Sequence, residues 1–364
     1  MGRKPIWVGL DVGADETAVC GIDGLNAVLL ERSIATDAKE LHRLIKPFKR
    51  RIALIALESG SHGIHLTRKL RGLGYPVAMF GCRQVSKFLA IRQNKTDRND
   101  ARGIAEIARL RGKAMGEVRV KSVECQRLRS TLATRQQLLR IRVAAENSLR
   151  SLFRLNGGKL KSSWSAAMLR KNVRGELARL RKNEKIDLSD DVLPLLALCE
   201  AMRSYLENLD ERLESLAKEH PVCRSLMEIP GVGPICALSF YSAIEEPSRF
   251  KRNSDVGAYL GLVPKIRQSG QSTTQLRISK MGSAMTRGHL GTAALQHLRY
   301  AKSDLQLWGE SLAERIGKQR ARTAVSRKLA VTMLAMWKSG ESYQSLRGGS
   351  SKPHFQPVAE TAPS

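Results

Sequence analysis

Four carboxylates carry the chemistry this sequence is equipped for. Asp11 stands near the end of an apolar run, Ile6–Val12 (IWVGLDV), and Glu58 closes a second one, IALIALE. Asp97 and Asp100 lie three apart in NKTDRNDA, Asn94–Ala101. A carboxylate in a buried strand is costly to desolvate unless a cation meets it. Two acids three apart share one helix face. Four hard oxygen ligands suit a pair of divalent ions about 3.5–4 Å apart, the arrangement that clamps the attacking and leaving oxygens in phosphodiester chemistry. Each acid also has an ordinary reading. A strand-end aspartate can bond loop amides, and acids in a first helical turn favour the positive end of the helix dipole. The choice depends on whether all four reach one place.

The elements that must bring them there read from the hydrophobic period. Ile6–Asp11, Thr17–Ile22 and Ala27–Ile34 form three consecutive strands. Residues 37–48 form a helix with Leu41, Leu44, Ile45 and Phe48 on one face. A buried strand Ile52–Leu57, a helix His62–Leu73, a strand Pro76–Phe80 and a short helix Val85–Ala90 follow. Thr96 is an N-cap for a last helix reaching Arg111. Meandering strands followed by βαβ units predict a mixed sheet with helices on its faces.

Beyond residue 120 the pattern becomes long helices. Leu195, Cys199, Met202, Leu206, Leu209, Leu213 and Leu216 alternate four and three apart. Such a seam fits an antiparallel arm or dimeric coiled coil, or equally a helical hairpin within one protomer. Between the helices, Asn156–Lys185 is rich in Lys and Arg and reads as a mobile, solvated, basic connection. Residues 221–343 read as a glycine-punctuated helical block. The tail 344–364, rich in Gly, Ser and Pro, is expected to be disordered. The expected organisation is therefore 1–120, 121–220, 221–343 and 344–364.

Composition names the kind of partner. The 364 residues hold 62 Lys+Arg against 34 Asp+Glu, a net charge of +28. That surplus calls for a polyanion, nucleic acid first and an anionic membrane surface second. No apolar run approaches the ~20 residues that span a bilayer. MGRKPIW lacks the apolar region of a signal peptide, and position 6 is Ile, so the myristoylation pattern fails. Six scattered cysteines with no CxxC pair argue against zinc or a disulfide framework and for a reducing cytoplasm.

The third block adds groups suited to phosphates. In MEIPGVGPICA, the amides of Gly231 and Gly233 at a helix start could hold a backbone phosphate, though PGVG alone is also an ordinary turn. VGAYLGLVP, QSGQST and RISKMGS follow, with Lys265 and Arg267 between the first two and Arg277 and Lys280 in the third. Arg320 and Arg322 precede the apolar LAVTMLAMW. Ser269–Gly270 by itself is a solvent-exposed turn.

The order Asp11, Glu58, Asp97, Asp100, with NKTDRNDA, resembles the RuvC-like, ribonuclease-H-type domain of the DEDD transposases of the insertion sequence 110 family. The succession PGVG, LGLVP, SG and SKMG resembles that family's serine-bearing transposase domain. The resemblance covers about residues 6–112 and 223–340. It implies an α/β domain of ribonuclease-H/RuvC type, a long helical or coiled-coil middle, and a helical C-terminal transposase domain with a helix-hairpin-helix-like segment. It implies a transposase that excises and inserts its own element by DNA strand exchange. The four acids would hold Mg²⁺ (or Mn²⁺), and Ser269 would be the nucleophile, with Ser272 its rival if the alignment slips. The implied partners are DNA, as element ends and target, and a structured non-coding guide RNA. The implied state is a homo-oligomer, dimer or tetramer, cytoplasmic and nucleoid-associated in a bacterium, with no membrane. Three alternatives stand beside it. A hydrolytic RuvC-like endonuclease needs the acids but not Ser269. A non-catalytic nucleic-acid-binding protein needs neither. An actin-like or sugar-kinase ATPase is suggested by GLDVGADETAV but lacks the second glycine-rich phosphate loop.

Overall fold

A computed structural model describes residues 4–90, 94–110, 116–269 and 272–343. The chain divides after Ser122 into two compact units.

The first unit runs β1 (Ile6–Val12), β2 (Glu16–Ile22), β3 (Val28–Ala35), α1 (Ala38–Ile45), β4 (Ile52–Glu58), α2 (Ser61–Gly72), β5 (Val77–Phe80), α3 (Cys82–Leu89) and α4 (Asp97–Leu110). Its five-stranded sheet has the order β3-β2-β1-β4-β5. The first three strands pair antiparallel, whereas β1–β4 and β4–β5 pair parallel. Side chains alternate across a strand, so each strand feeds both faces. Val8, Leu10, Ile55 and Leu57 pack with Leu41 and Ile45 of α1 and Leu70 of α2. Leu54, Ala56, Ala78 and Phe80 pack with Ile104, Ile107 and Ala108 of α4. The expected mixed sheet covered on both faces is thus present.

The second unit begins with α5 (Val123–Leu155), α6 (Ala166–Asn183) and α7 (Ser189–Glu219). Then come α8 (Pro221–Leu226), α9 (Pro234–Ile244), α10 (Asp255–Tyr259), β6 (Pro264–Ser269), β7 (Ser272–Ile278), α11 (Ala284–Tyr300), α12 (Asp304–Ile316) and α13 (Lys318–Ser339). Helices α5 and α7 run antiparallel, linked by Arg135–Asp210 and Arg203–Glu146. The apolar seam of α7 is occupied within the chain: Cys199 packs with Ala145 and Leu149 of α5, and Leu213 with Leu132. Leu216 falls off this stripe and is exposed.

The stretch Asn156–Lys185 is not the loose connection its charge suggested. It contains α6, capped by the Ser165 hydroxyl, with Leu169, Val173, Leu177 and Leu180 buried against α5 and α7. Four buried aliphatics at helical spacing, each stabilising by about 1.5–3 kcal/mol, outweigh the exposed charges on the other face. The last block is also not wholly helical, because β6 and β7 form a two-stranded hairpin. Its core gathers Phe240 from the almost wholly buried α9, Leu290 from α11, and Leu329 and Met333 from α13. The tail expected to be disordered, 344–364, lies outside the described residues. No described helix is long and apolar enough to cross a membrane.

Candidate active site and nucleic-acid interface

The position of the acids follows from one glycine. A Cβ on Gly9 would collide with the carbonyl oxygen of Ala101 and with the backbone of Ala105. Only glycine at this point lets α4 lie directly on β1. Gly9 and Asp11, two apart, share the face of β1 that α4 covers. Stepping forward two residues along β1 covers about 6.7 Å, and stepping back one turn along α4 covers about 5.4 Å. Moving from Gly9 to Asp11 therefore moves from Ala101 toward Asp97 and Asp100. Arg98, between them, pairs with Glu31 of β3 and ties the start of α4 across the sheet. At the other end Asn26 donates to Glu106 at 3.2 Å, and Arg109 donates to the Gly24 carbonyl at 3.3 Å.

Glu58 arrives along the sheet. The parallel register pairs Leu10 with Leu57, so Asp11 and Glu58 are the next residues on adjacent strands. Asp11 is half-buried. Burial raises its carboxyl to about 6, and the charges of Asp100, Asp97 and Glu58 push the same way, opposed by Lys95. All four predicted acids therefore share one electrostatic field. Among the described residues, however, no three His, Cys, Asp or Glu side chains are drawn close enough to form a metal cage. The cluster is a set of like charges around Asp11 rather than a closed shell. Three carboxylates that oppose the ionisation of a half-buried fourth, Asp11, form with it a donor set suited to a divalent cation.

Ser269 lies in the second unit, at the far end of β6, in register with Ser272 of β7. Every residue of β6 is exposed, including Lys265, Arg267 and Ser269. The hairpin is anchored at its base. Gly261, at φ +71°, and Gly282, at φ +75°, have no room for a Cβ, because Gly261 abuts Met281 and Gly282 abuts the Tyr259 carbonyl. The Ser279 and Lys280 amides donate to Val263 and Gly261 at 2.8 and 3.1 Å. Arg287 donates to the carbonyls of Leu260, Met281 and Gly282 at 3.1, 2.8 and 3.1 Å. These contacts explain the LGLVP and SKMGS segments as a clasp. Arg277 and Lys280 are exposed beside it. No base contacts Ser269 among the described residues.

The PGVG segment links α8 to α9, and its two glycines differ. Gly231, at φ +89°, abuts α11, where a Cβ would come within 2.6 Å of the Ala293 oxygen and 2.8 Å of the His297 nitrogen. Buried His297 bridges the Pro230 carbonyl at 2.7 Å and the Ser303 hydroxyl at 2.8 Å. Gly233 faces open space and starts α9. It borders a cleft of about 700 Å³ that Arg135, Arg140, His289 and Thr292 also line. Burial, with Arg135 nearby, lowers the His289 imidazole to about 4. Arg320 and Arg322 occupy the first turn and a half of α13, Arg320 exposed and Arg322 half-buried.

The structure thus gathers Asp11, Glu58, Asp97 and Asp100 in the first unit. Ser269 and the predicted phosphate-binding residues all belong to the second: Lys265, Arg267, Arg277 and Lys280 on or beside its hairpin, Gly231 and Gly233 at the PGVG cleft, and Arg320 and Arg322 on α13. Sequence reasoning missed Gly9, Arg135, Arg140, His289 and Arg287. Ala101 and Ala105, four apart, were the available signal for close helix packing on a glycine.

A mixed sheet of ribonuclease-H/RuvC type joined to a long helical segment and a helical C-terminal part defines a class of nucleic-acid-processing proteins. Residues 8–155 match the transposase family DEDD_Tnp_IS110, and residues 223–307 match the transposase family IS116/IS110/IS902. The chain is 29% identical to the transposase for insertion sequence element IS1111A of Coxiella burnetii, over 93% of this chain and 91% of that one. It is 27% identical to a putative transposase, y4pF/y4sB, of Sinorhizobium fredii, over 95% and 89%. A probable family 20 transposase of Pseudomonas aeruginosa is 25% identical over 90% and 96%. The chain belongs to the IS110 family of transposases, enzymes that cleave and recombine DNA.

Proposed function

We propose that this transposase exchanges DNA strands at the ends of its own element and at a target, using Asp11, Glu58, Asp97 and Asp100 as metal ligands and Ser269 as nucleophile. The observation that supports it is the coupling of three acids to half-buried Asp11. When bound, Mg²⁺ or Mn²⁺ would relieve that repulsion and polarise the phosphoryl group. In the proposed step the Ser269 Oγ–P bond forms while the P–O bond to the leaving strand breaks. The hydroxyl proton passes through solvent to the departing oxygen, which leaves as a free hydroxyl, and the other strand end is held as a phosphoserine ester. Lys265, Arg267, Arg277 and Lys280 supply positive charge to the phosphate near Ser269. Gly231 and Gly233 shape the cleft that receives backbone phosphates with Arg135 and Arg140, and Arg320 and Arg322 add to the same polyanion field.

In this reading residues 1–120 form the metal-binding domain, 121–220 the arm and 221–343 the serine-bearing domain. Acids and serine belong to separate units, so the proposal has them brought together, within one protomer or between the protomers of a homo-oligomer, dimer or tetramer. It also includes a structured guide RNA that reads sequence by base pairing, leaving the protein to recognise phosphates and shape. The exposed Ser269, without a base among the described residues, favours a second reading, a purely hydrolytic endonuclease. Incubation with element ends, flanking RNA and Mg²⁺ separates the two. Protein covalently attached to DNA through Ser269 supports strand exchange, and cleavage without attachment supports hydrolysis.

A further inference from the structure

The flank of the helical arm carries an exposed tryptophan on a fixed backbone. Trp164 is 84% exposed, in the short segment between α5 and α6. Its main chain is nevertheless held from below. Arg203 of α7 donates to the Trp164 and Ser163 carbonyls at 3.1 and 3.0 Å. Arg203 is itself buried and paired with buried Glu146 of α5 at 2.7 Å. Asn172 of α6 donates to the Ser163 hydroxyl at 2.9 Å, and the Ser165 hydroxyl caps α6. A buried ion pair thus spans two helices and fixes a loop whose largest side chain packs on nothing.

Cations surround this segment. Lys159 and Lys161 precede Trp164, and Lys171, Arg174 and Lys182 lie on the face of α6 opposite its buried stripe. None of these five forms an ion pair among the described residues. The other arginines of α6 are paired, Arg170 with Glu200, Arg179 with Glu176 and Arg181 with Asp187. An exposed indole on a fixed backbone, beside unpaired cations, matches the chemistry of an unpaired nucleobase and its flanking phosphates. The ring offers a π-face to any base, and the cations follow the backbone. A duplex hides its base faces by stacking and would engage only the cations.

We propose that Trp164 is a stacking platform for an unpaired base, with Lys159, Lys161, Lys171, Arg174 and Lys182 holding the adjoining strand. This site does not depend on the acids or on Ser269, so it stands or falls separately from strand exchange. The test uses the full chain and fluorescence anisotropy with a labelled single strand of about twelve nucleotides, as RNA and as DNA, and with the matching duplex. Stacking is worth about 1–3 kcal/mol per base, so Trp164→Ala should weaken single-strand binding about 5- to 150-fold. Duplex binding should stay within about twofold. Trp164→Phe should retain most of the affinity, whereas Trp164→Leu, apolar but without a π-face, should lose it. Tighter binding of RNA or of DNA identifies which strand the site serves. Unchanged single-strand affinity in Trp164→Ala overturns the proposal. So does an equal loss on single strand and duplex, or a change of oligomeric state by light scattering with single-strand binding intact, which would make the ring a contact between copies.

Discussion

Gly9 of β1 and Ala101 of α4 touch backbone to backbone: a Cβ at position 9 would overlap the Ala101 carbonyl oxygen. This contact sets the height of α4 above the sheet and, one turn earlier, the place of Asp97 and Asp100 relative to Asp11. Gly9→Ala should force the helix away and cost about 1–3 kcal/mol, the scale of overpacking. Gly9→Val should cost more. Thermal unfolding measures the loss, and transposition should fall further than stability does, because the acids are displaced. Full activity in Gly9→Val would show that the acids need no such registration.

Asp11 makes stability depend on pH in a definite direction. Its folded carboxyl sits near 6, above the ordinary 3.8, so between those values the folded chain binds more protons than the unfolded one. Stability therefore falls as pH rises from about 4 to 6 and stays lowered above. Asp11→Asn removes the penalty. In the absence of divalent ions its Tm should exceed that of the parent by about 2–4 °C at pH 7.5, with no difference at pH 3.5. Added Mg²⁺ should raise the parent's Tm and leave the variant's nearly unchanged. A variant less stable than the parent at pH 7.5 would contradict this account.

Ser269→Ala tests the nucleophile without disturbing the core, because the hydroxyl is exposed. Nucleic-acid binding and Tm should be unchanged. Strand exchange should drop by on the order of 10⁶-fold, the scale for losing a catalytic serine, and covalent DNA attachment should vanish. Ser272→Ala provides the comparison. If its loss abolishes attachment while Ser269→Ala does not, the nucleophile is the residue paired with Ser269 across the hairpin.

Arg203 and Glu146 form a buried pair that holds the arm together. Removing Glu146 leaves the buried Arg203 charge without its carboxylate, whereas Glu146 also has Arg150 at 3.3 Å and Arg142 at 3.7 Å. Glu146→Leu alone should therefore destabilise by about 3–5 kcal/mol, Arg203→Met alone by less, and the double replacement should recover much of the Glu146→Leu loss. Urea unfolding of the three variants gives the coupling. Simple additivity would show that the pair contributes little beyond its separate contacts.

Much of the first unit was legible because its hydrophobic periods are clean. The runs ending at Asp11 and Glu58 are strands, the DxxD pair opens a helix, and common sheet topology put the strands side by side. The PGVG, LGLVP and SKMGS segments were legible as a resemblance, but their physical role was not. Gly261 and Gly282 are separated by a whole hairpin, and only the folded chain shows each occupying the space the other's neighbour leaves. The basic stretch 156–185 was misread as loose because its nine Lys and Arg obscured four aliphatics at helical spacing.

The sequence by itself determined the element order, the candidate acids and the polyanionic class of partner, because each is a local property of residue type and spacing. Only the tertiary structure decided that α4 rests on Gly9, that Arg203 braces Trp164, and that Gly231 is pressed against α11 while Gly233 has open space around it. Those facts depend on close approaches between segments far apart in the chain. No local period encodes them.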